Sequence, residues 1–157
     1  MRTEIELKDQ PVRARLYLTA LGLVEAEING AKVGNDALIP GWTNYEQRVE
    51  MWTYDVTENL SAGTNAMGFW LGDGWYRGRL GFDGGYANYY GDRIGVFAQL
   101  EVEYADGSTD AVYSNSWDRR WKTTLGPIVC SDLCEGERYD ARFEMPGWSK
   151  PGFDDSD

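Results

Sequence analysis

"IGVFAQLEVEYADGSTDAVYSN", residues 94–115, is the stretch whose reading decides the fold. Apolar and polar residues alternate from Val96 to Tyr104, and Asp106-Gly107 then interrupts a second alternating run. A two-residue period is what a half-buried strand requires, and Asp-Gly between two such runs is a strong short-range hairpin signal. The segment therefore reads as two antiparallel strands in a well-fixed register.

The same period recurs upstream, and few windows show helical spacing. "ARLYLTA" and "LVEAEING" read as a strand pair, and Asn29-Gly30 supplies residues that tolerate positive φ in a tight turn before "AKVG". "RVEMWTYDV" alternates, and in "TENLSAGTNAMGFWLG" Ser61, Gly63 and Asn65 punctuate a turn before another strand. Downstream, "WDRRWKTTLG" and "RYDARFE" are expected to add two short strands, with "GPIVCSDLCEGE" as a connection. Eight or so strands in 157 residues predict one all-β domain, an antiparallel two-sheet sandwich or jelly roll spanning residues 1–157.

Composition narrows the function. The formal net charge is −11, which repels phosphate backbones and anionic headgroups, so nucleic acid and membrane are not expected partners. Histidine is absent, which removes Ser-His and Cys-His catalysis and imidazole zinc sites. Cys130 and Cys134 have the wrong spacing for a Cys-x-x-Cys pair and read as buried free thiols. No run approaches the roughly 20 apolar residues of a membrane span, and "MRTEIELKDQPVRARL" lacks a signal-peptide apolar stretch. These features predict a cytoplasmic protein. The closing "GWSKPGFDDSD" ends on no recognisable cap or core strand, which suggests a segment of a longer polypeptide.

Seven Trp residues and an aromatic content of 14% exceed what a core of this size needs. The surplus concentrates in "PGWTNY" and in "LGDGWYRGRLGFDGGYANYYGDR", Leu71 to Arg93. There Trp42, Trp75, Tyr76, Phe82, Tyr86, Tyr89 and Tyr90 are interleaved with Gly, Asn and Asp, and Trp70 closes the strand before the loop. Sugars are recognised by this combination: a pyranose C–H face stacks on a ring while planar polar groups bond its hydroxyls. Trp42, Asn44, Glu46, Trp70, Asp73, Trp75, Tyr76, Arg77, Asn88 and Tyr90 are the candidate carbohydrate-contacting or docking residues. The structural alternative is that the rings pack the loop onto the sandwich, since a loop beyond about 12–15 residues must be ordered by something.

Asp36, Glu46, Asp73, Asp83 and Asp92 supply carboxylates, and glycoside hydrolysis needs two. A general acid needs an apolar pocket to raise its pKa, whereas each of these lies beside Gly, Asn or Arg, so no catalytic residue is assigned. No cofactor is required; Asn35, Asp36 and Asp92 are candidate calcium ligands, though no known calcium-loop spacing is present. "GDGWYRGRLG" lacks the Gly-Lys-Ser/Thr ending of a phosphate loop, and no helix is expected after it. Arg77 and Arg79 are expected to pair with nearby acids or stack on the loop's rings.

The ordered motifs "ARLYLTALGLVEAEINGAKVG", "LIPGWTNYEQRVEMWTYDVTENLSAGTNAMG", "LGDGWYRGRLGF", "YGDR" and "GPIVCSDLCEGERYDAR...GW...GFDDS" resemble the N-terminal β-sandwich domain of bacterial α-L-rhamnosidases. The resemblance covers the chain from about Arg13. It implies a galactose-binding-domain-like jelly roll, and a multidomain parent that releases terminal α-L-rhamnose by inversion. The catalytic acid and base would lie in a separate (α/α)₆ barrel of the same polypeptide, leaving this chain inactive alone. Rhamnose-containing glycosides are the implied ligands. Some related modules bind L-rhamnose through calcium with Asp-Asn shortly after Trp-x-x-Tyr; here Trp42-Thr43-Asn44-Tyr45 is followed by Glu46-Gln47, each one methylene longer. Cys130 and Cys134 stand where relatives more often carry tyrosine. The alternative is a docking module without sugar affinity.

Overall fold

A computed structural model describes residues 1–115 and 120–156. Among them the strands are β1 (Arg2–Leu7), β2 (Pro11–Leu21), β3 (Leu23–Ile28), β4 (Ala31–Lys32), β5 (Trp52–Asp55), β6 (Gly63–Gly72), β7 (Gly95–Tyr104), β8 (Thr109–Tyr113), β9 (Ile128–Asp132) and β10 (Gly136–Tyr139). Helical structure among the described residues is confined to α1 (Gly74–Arg77) and two short 3-10 turns. Two four-stranded antiparallel sheets, β1-β6-β3-β4 and β5-β2-β7-β8, face each other, and β9 and β10 form a separate hairpin. This is the antiparallel jelly-roll sandwich the alternation predicts.

Residues 94–115 behave as read. β7 pairs with β8 from Glu103↔Thr109 to Gln99↔Tyr113 around the Asp106-Gly107 turn. Asn29 (φ 53°) and Gly30 (φ 82°) likewise make the β3–β4 turn. The β2–β3 pairing fails, however. β2 lies between β5 and β7 in one sheet, and β3 between β6 and β4 in the other. At Gly22 (φ 126°) a Cβ would stand 2.4 Å from the Gly72 carbonyl, so this glycine lets the chain cross between layers in one step.

Other expectations change toward the C-terminus. Ile128–Asp132, read as connection, is β9, because its partner β10 folds directly back on it. The strand expected in "RYDARFE" stops at Tyr139 and gives way to a 3-10 turn at Ala141–Phe143. Of the strand expected in "WDRRWKTTLG", residues 117–119 lie outside the described residues, and the remainder makes a single bridge, Lys122 to Arg2. Cys130 and Cys134 are free, but half-buried and exposed respectively, since they sit on the peripheral hairpin.

The core fills the space between the sheets with Leu16, Leu18, Val24, Ile28, Met67, Phe69, Leu100 and Val102, all essentially without exposed surface. Burying each such side chain contributes about 1.5–3 kcal/mol. The outer face of the β1-β6-β3-β4 sheet is covered too. Trp148 lies on Gly68 and meets Trp70 edge-on at 4.8 Å, the Trp70 indole donates to Glu27 at 2.9 Å, and Gly30 N donates to the Ser149 carbonyl at 3.0 Å. Loops 33–51 and 73–94 each carry the chain from this sheet to the other.

Candidate functional site

The two crossover loops meet through their rings. Tyr45 of the first contacts Tyr76 (5.2 Å, 82°) and Tyr90 (4.9 Å, 65°) of the second, and Tyr76 stacks near-parallel to Tyr90 at 6.3 Å. Tyr89 meets Tyr90 edge-on at 4.9 Å, and the Trp42 indole N–H donates to the Tyr90 hydroxyl at 3.3 Å. Such offset and edge-on pairs satisfy the ring quadrupoles and fix the planes of neighbouring rings. Tyr45 is the pivot: its hydroxyl donates to the Gly41 carbonyl at 3.0 Å, and burial, then the Tyr90 hydroxyl, push its pKa up. Trp42 and Tyr89 keep 58% and 67% of their surface exposed, so the cluster presents ring area to solvent.

The long loop is more ordered than spacing suggested. Asp73 precedes the single turn of α1 and binds Arg77 at 2.5 Å. Leu80 and Tyr86 exchange two backbone bonds (3.1 and 2.8 Å), making a small hairpin with Phe82 and Asp83 at its tip. Its root is held by Asp132, a buried carboxylate that accepts backbone N–H groups from Arg79 (2.7 Å), Cys134 (2.8 Å) and Glu135 (3.0 Å). Burial alone would raise the Asp132 pKa; the three donors outweigh it and hold the carboxyl below its ordinary range. Arg79 Nε adds a bond to Glu135 at 2.6 Å.

The sequence candidates therefore divide. Trp42, Tyr76 and Tyr90 come together, with Asp73 and Arg77 paired on α1 beside them. Asn44 and Glu46 lie exposed on the neighbouring turn, where Asn44 Oδ1 accepts the Glu46 N–H at 3.2 Å. Asn88 is exposed, with left-handed φ 61°, and its N–H donates to the Arg77 carbonyl at 2.8 Å; Trp75 is half-buried. Trp70 does not join the loop rings, because it points to the outer face of β6 under Trp148. Tyr45 and Asp132 were missed as site residues. The Trp-x-x-Tyr spacing signals the first, whereas nothing local marks the second.

Asp36 accepts the Tyr54 hydroxyl at 3.1 Å beside β5, Asn35 is exposed, and Asp92 stands exposed at the far end of the long loop. Among the described residues no group of three or more Cys, Asp or Glu side chains is placed to hold a metal ion.

The profile of the α-L-rhamnosidase N-terminal domain matches residues 9–157. The chain belongs to this family. An α-L-rhamnosidase from Streptomyces avermitilis is 50% identical over 156 residues, which is 99% of this chain, and one from Formosa agariphila is 42% identical over 158. The chain spans only 15% and 16% of those two proteins. The Streptomyces avermitilis enzyme solved in complex with L-rhamnose superposes with a TM-score of 0.92 over 98% of this chain and 15% of its own. The α-L-rhamnosidase from Aspergillus terreus, 48% identical, superposes with 0.94 over 99% of this chain and 18% of its own. As in these rhamnosidase domains, the sandwich is almost wholly antiparallel β-structure.

Proposed function

We propose that this domain is a non-catalytic accessory module of an α-L-rhamnosidase that contacts rhamnose-containing glycosides and helps present them to an (α/α)₆ catalytic barrel elsewhere in the polypeptide. Hydrolysis by inversion belongs to that barrel. One observation carries the reading: Trp42, Tyr45, Tyr76, Tyr89 and Tyr90 converge from two loops into a preset cluster whose rings remain partly open to solvent. A pyranose stacked there would find Asn44, Glu46 and Asn88 among the exposed polar side chains of the same two loops.

Titration of the chain with L-rhamnose, followed by tryptophan fluorescence, tests this. Saturable change in the native chain and a loss of at least about tenfold in affinity in Trp42→Ala or Tyr76→Ala is expected. Fluorescence unmoved by sugar, with native folding, would remove the sugar-contact role. The second reading, docking without sugar affinity, draws on Phe82 and Tyr86, which are 96% and 77% exposed at the loop's hairpin tip. It predicts normal folding and no response to sugar.

A further inference from the structure

A hollow of about 340 Å³, within the range of ligand pockets, is bounded by the end of β10, the β3–β4 turn and the segment 144–150. Its walls carry three rings (Trp70, Tyr139 and Trp148), two carboxylates (Glu27 and Glu144) and one ammonium, that of Lys150. Trp70 and Trp148 meet at 4.8 Å with their planes 71° apart, so the two indoles form a corner. Each is backed by a glycine. A Cβ at Gly68 would stand 2.4 Å from the Trp148 ring, and one at Gly126 would stand 2.8 Å from the Trp70 ring. Packing therefore sets the corner in advance, which lowers the ordering cost of filling it. Tyr139, 54% exposed, adds a third ring.

The charges on these walls do not cancel. The Glu27 carboxylate accepts the Trp70 indole N–H at 2.9 Å and the Ser149 hydroxyl. Both donors are neutral, so its negative charge stays. Lys32 lies opposite Glu27 across the β3–β4 pair, but its ammonium binds Glu25 at 2.9 Å. Glu144 accepts the Tyr139 hydroxyl at 2.9 Å, again from a neutral donor. Asp140, next to Tyr139, is matched by Arg142 at 2.5 Å. Lys150 lays its methylene stem along Gly30, where a Cβ would stand 2.6 Å from its Cε. Among the described residues Glu27, Glu144 and Lys150 form no ion pair, so the walls hold two negative charges against one positive.

We propose that this hollow binds a small organic cation of the methylated-ammonium class, its methyl groups against the Trp70, Trp148 and Tyr139 rings and its charge facing Glu27. Ring faces attract a cation through their quadrupole, most strongly those of tryptophan, and the carboxylates supply the counter-charge. Neutral donors already hold both Glu27 oxygens, which favours a cation with no N–H groups of its own to satisfy. An anion would meet the two carboxylates. The pocket lies apart from the loop rings and does not rest on the sugar-contact reading.

The test titrates choline into the chain while the indole N–H resonances of Trp42, Trp70 and Trp148 are followed. Trp70 and Trp148 should shift saturably and Trp42 should not. The carbon analogue of choline, in which a quaternary carbon replaces the nitrogen, has the same shape without the charge and should bind at least about tenfold more weakly. Glu27→Gln keeps an acceptor for the Trp70 indole but removes the charge, and should weaken choline by a similar factor. Lys150→Met removes a like charge and should tighten it, whereas a neutral polyol held by the Lys150 ammonium would bind less well in that variant. Should Glu27→Gln impair folding, Tyr139→Leu replaces it, again with weaker choline binding expected. No shift at Trp70 and Trp148, equal affinity for choline and its carbon analogue, or weaker choline binding in Lys150→Met would overturn the proposal.

Discussion

Asn65 has no exposed surface, yet every polar atom of its side chain is engaged. Its Nδ2 donates to the carbonyls of Ser61 (2.7 Å) and Gly63 (2.9 Å), while Oδ1 accepts from Ser61 N (3.0 Å) and Asn29 Nδ2 (2.8 Å). Asn29 in turn accepts Ala66 N at 2.9 Å, tying the β3–β4 turn to β6. Asn65→Ala strands these partners in a dry site and should cost about 3 kcal/mol in urea unfolding. Gly68 is constrained by space: a Cβ there would stand 2.4 Å from the Trp148 ring. Gly68→Ala should cost about 1–3 kcal/mol and red-shift tryptophan emission as Trp148 lifts. Both residue types are visible in the sequence as turn or strand glycine and asparagine. Their partners lie across other strands, and no local pattern names them.

Among the elements, the long loop owes its shape to a hairpin remote in sequence. Asp132 in β9 holds Arg79, Cys134 and Glu135 through their N–H groups, and its pKa is depressed. A depressed folded-state pKa stabilises the clamp fully above the unfolded carboxylate value, and that contribution disappears as pH falls through the folded one. Acid titration should move the amide resonances of Arg79, Cys134 and Glu135 together, with an apparent pKa below the ordinary carboxylate value. In Asp132→Asn this common titration should be absent, the loop tyrosines more accessible to acrylamide at pH 7, and far-UV circular dichroism unchanged. Separate midpoints for the three amides would contradict a shared clamp. The loop's aromatic surplus is legible in its composition, but its anchor sits more than 50 residues downstream in a stretch that reads as connection.

For the whole molecule, the C-terminal segment acts as a third layer over the outer face of one sheet. Trp148, Ser149 and Phe153 pack or bond onto β6, β3 and Arg2. A chain ending at residue 144 would expose the Trp70 ring and the Arg2 guanidinium. Its unfolding should lose about 3 kcal/mol, which at this size lowers Tm by roughly 6–12 °C in a thermal scan. An unchanged Tm would show the layer to be decorative.

By itself the sequence determined the β class, the turns at Asn29-Gly30 and Asp106-Gly107, the aromatic surplus of two loops and the family resemblance. Those properties are local or compositional: a period of two, a residue tolerant of positive φ, an ordered run of motifs. Only the tertiary structure decided that β2 and β3 part into different sheets, that Trp70 turns under Trp148 and that Tyr45 gathers the loop rings. In a jelly roll most neighbouring strands are distant in sequence, so which faces and edges meet depends on how the layers close. An alternating pattern says that a face is buried, but it carries no label for the surface that buries it.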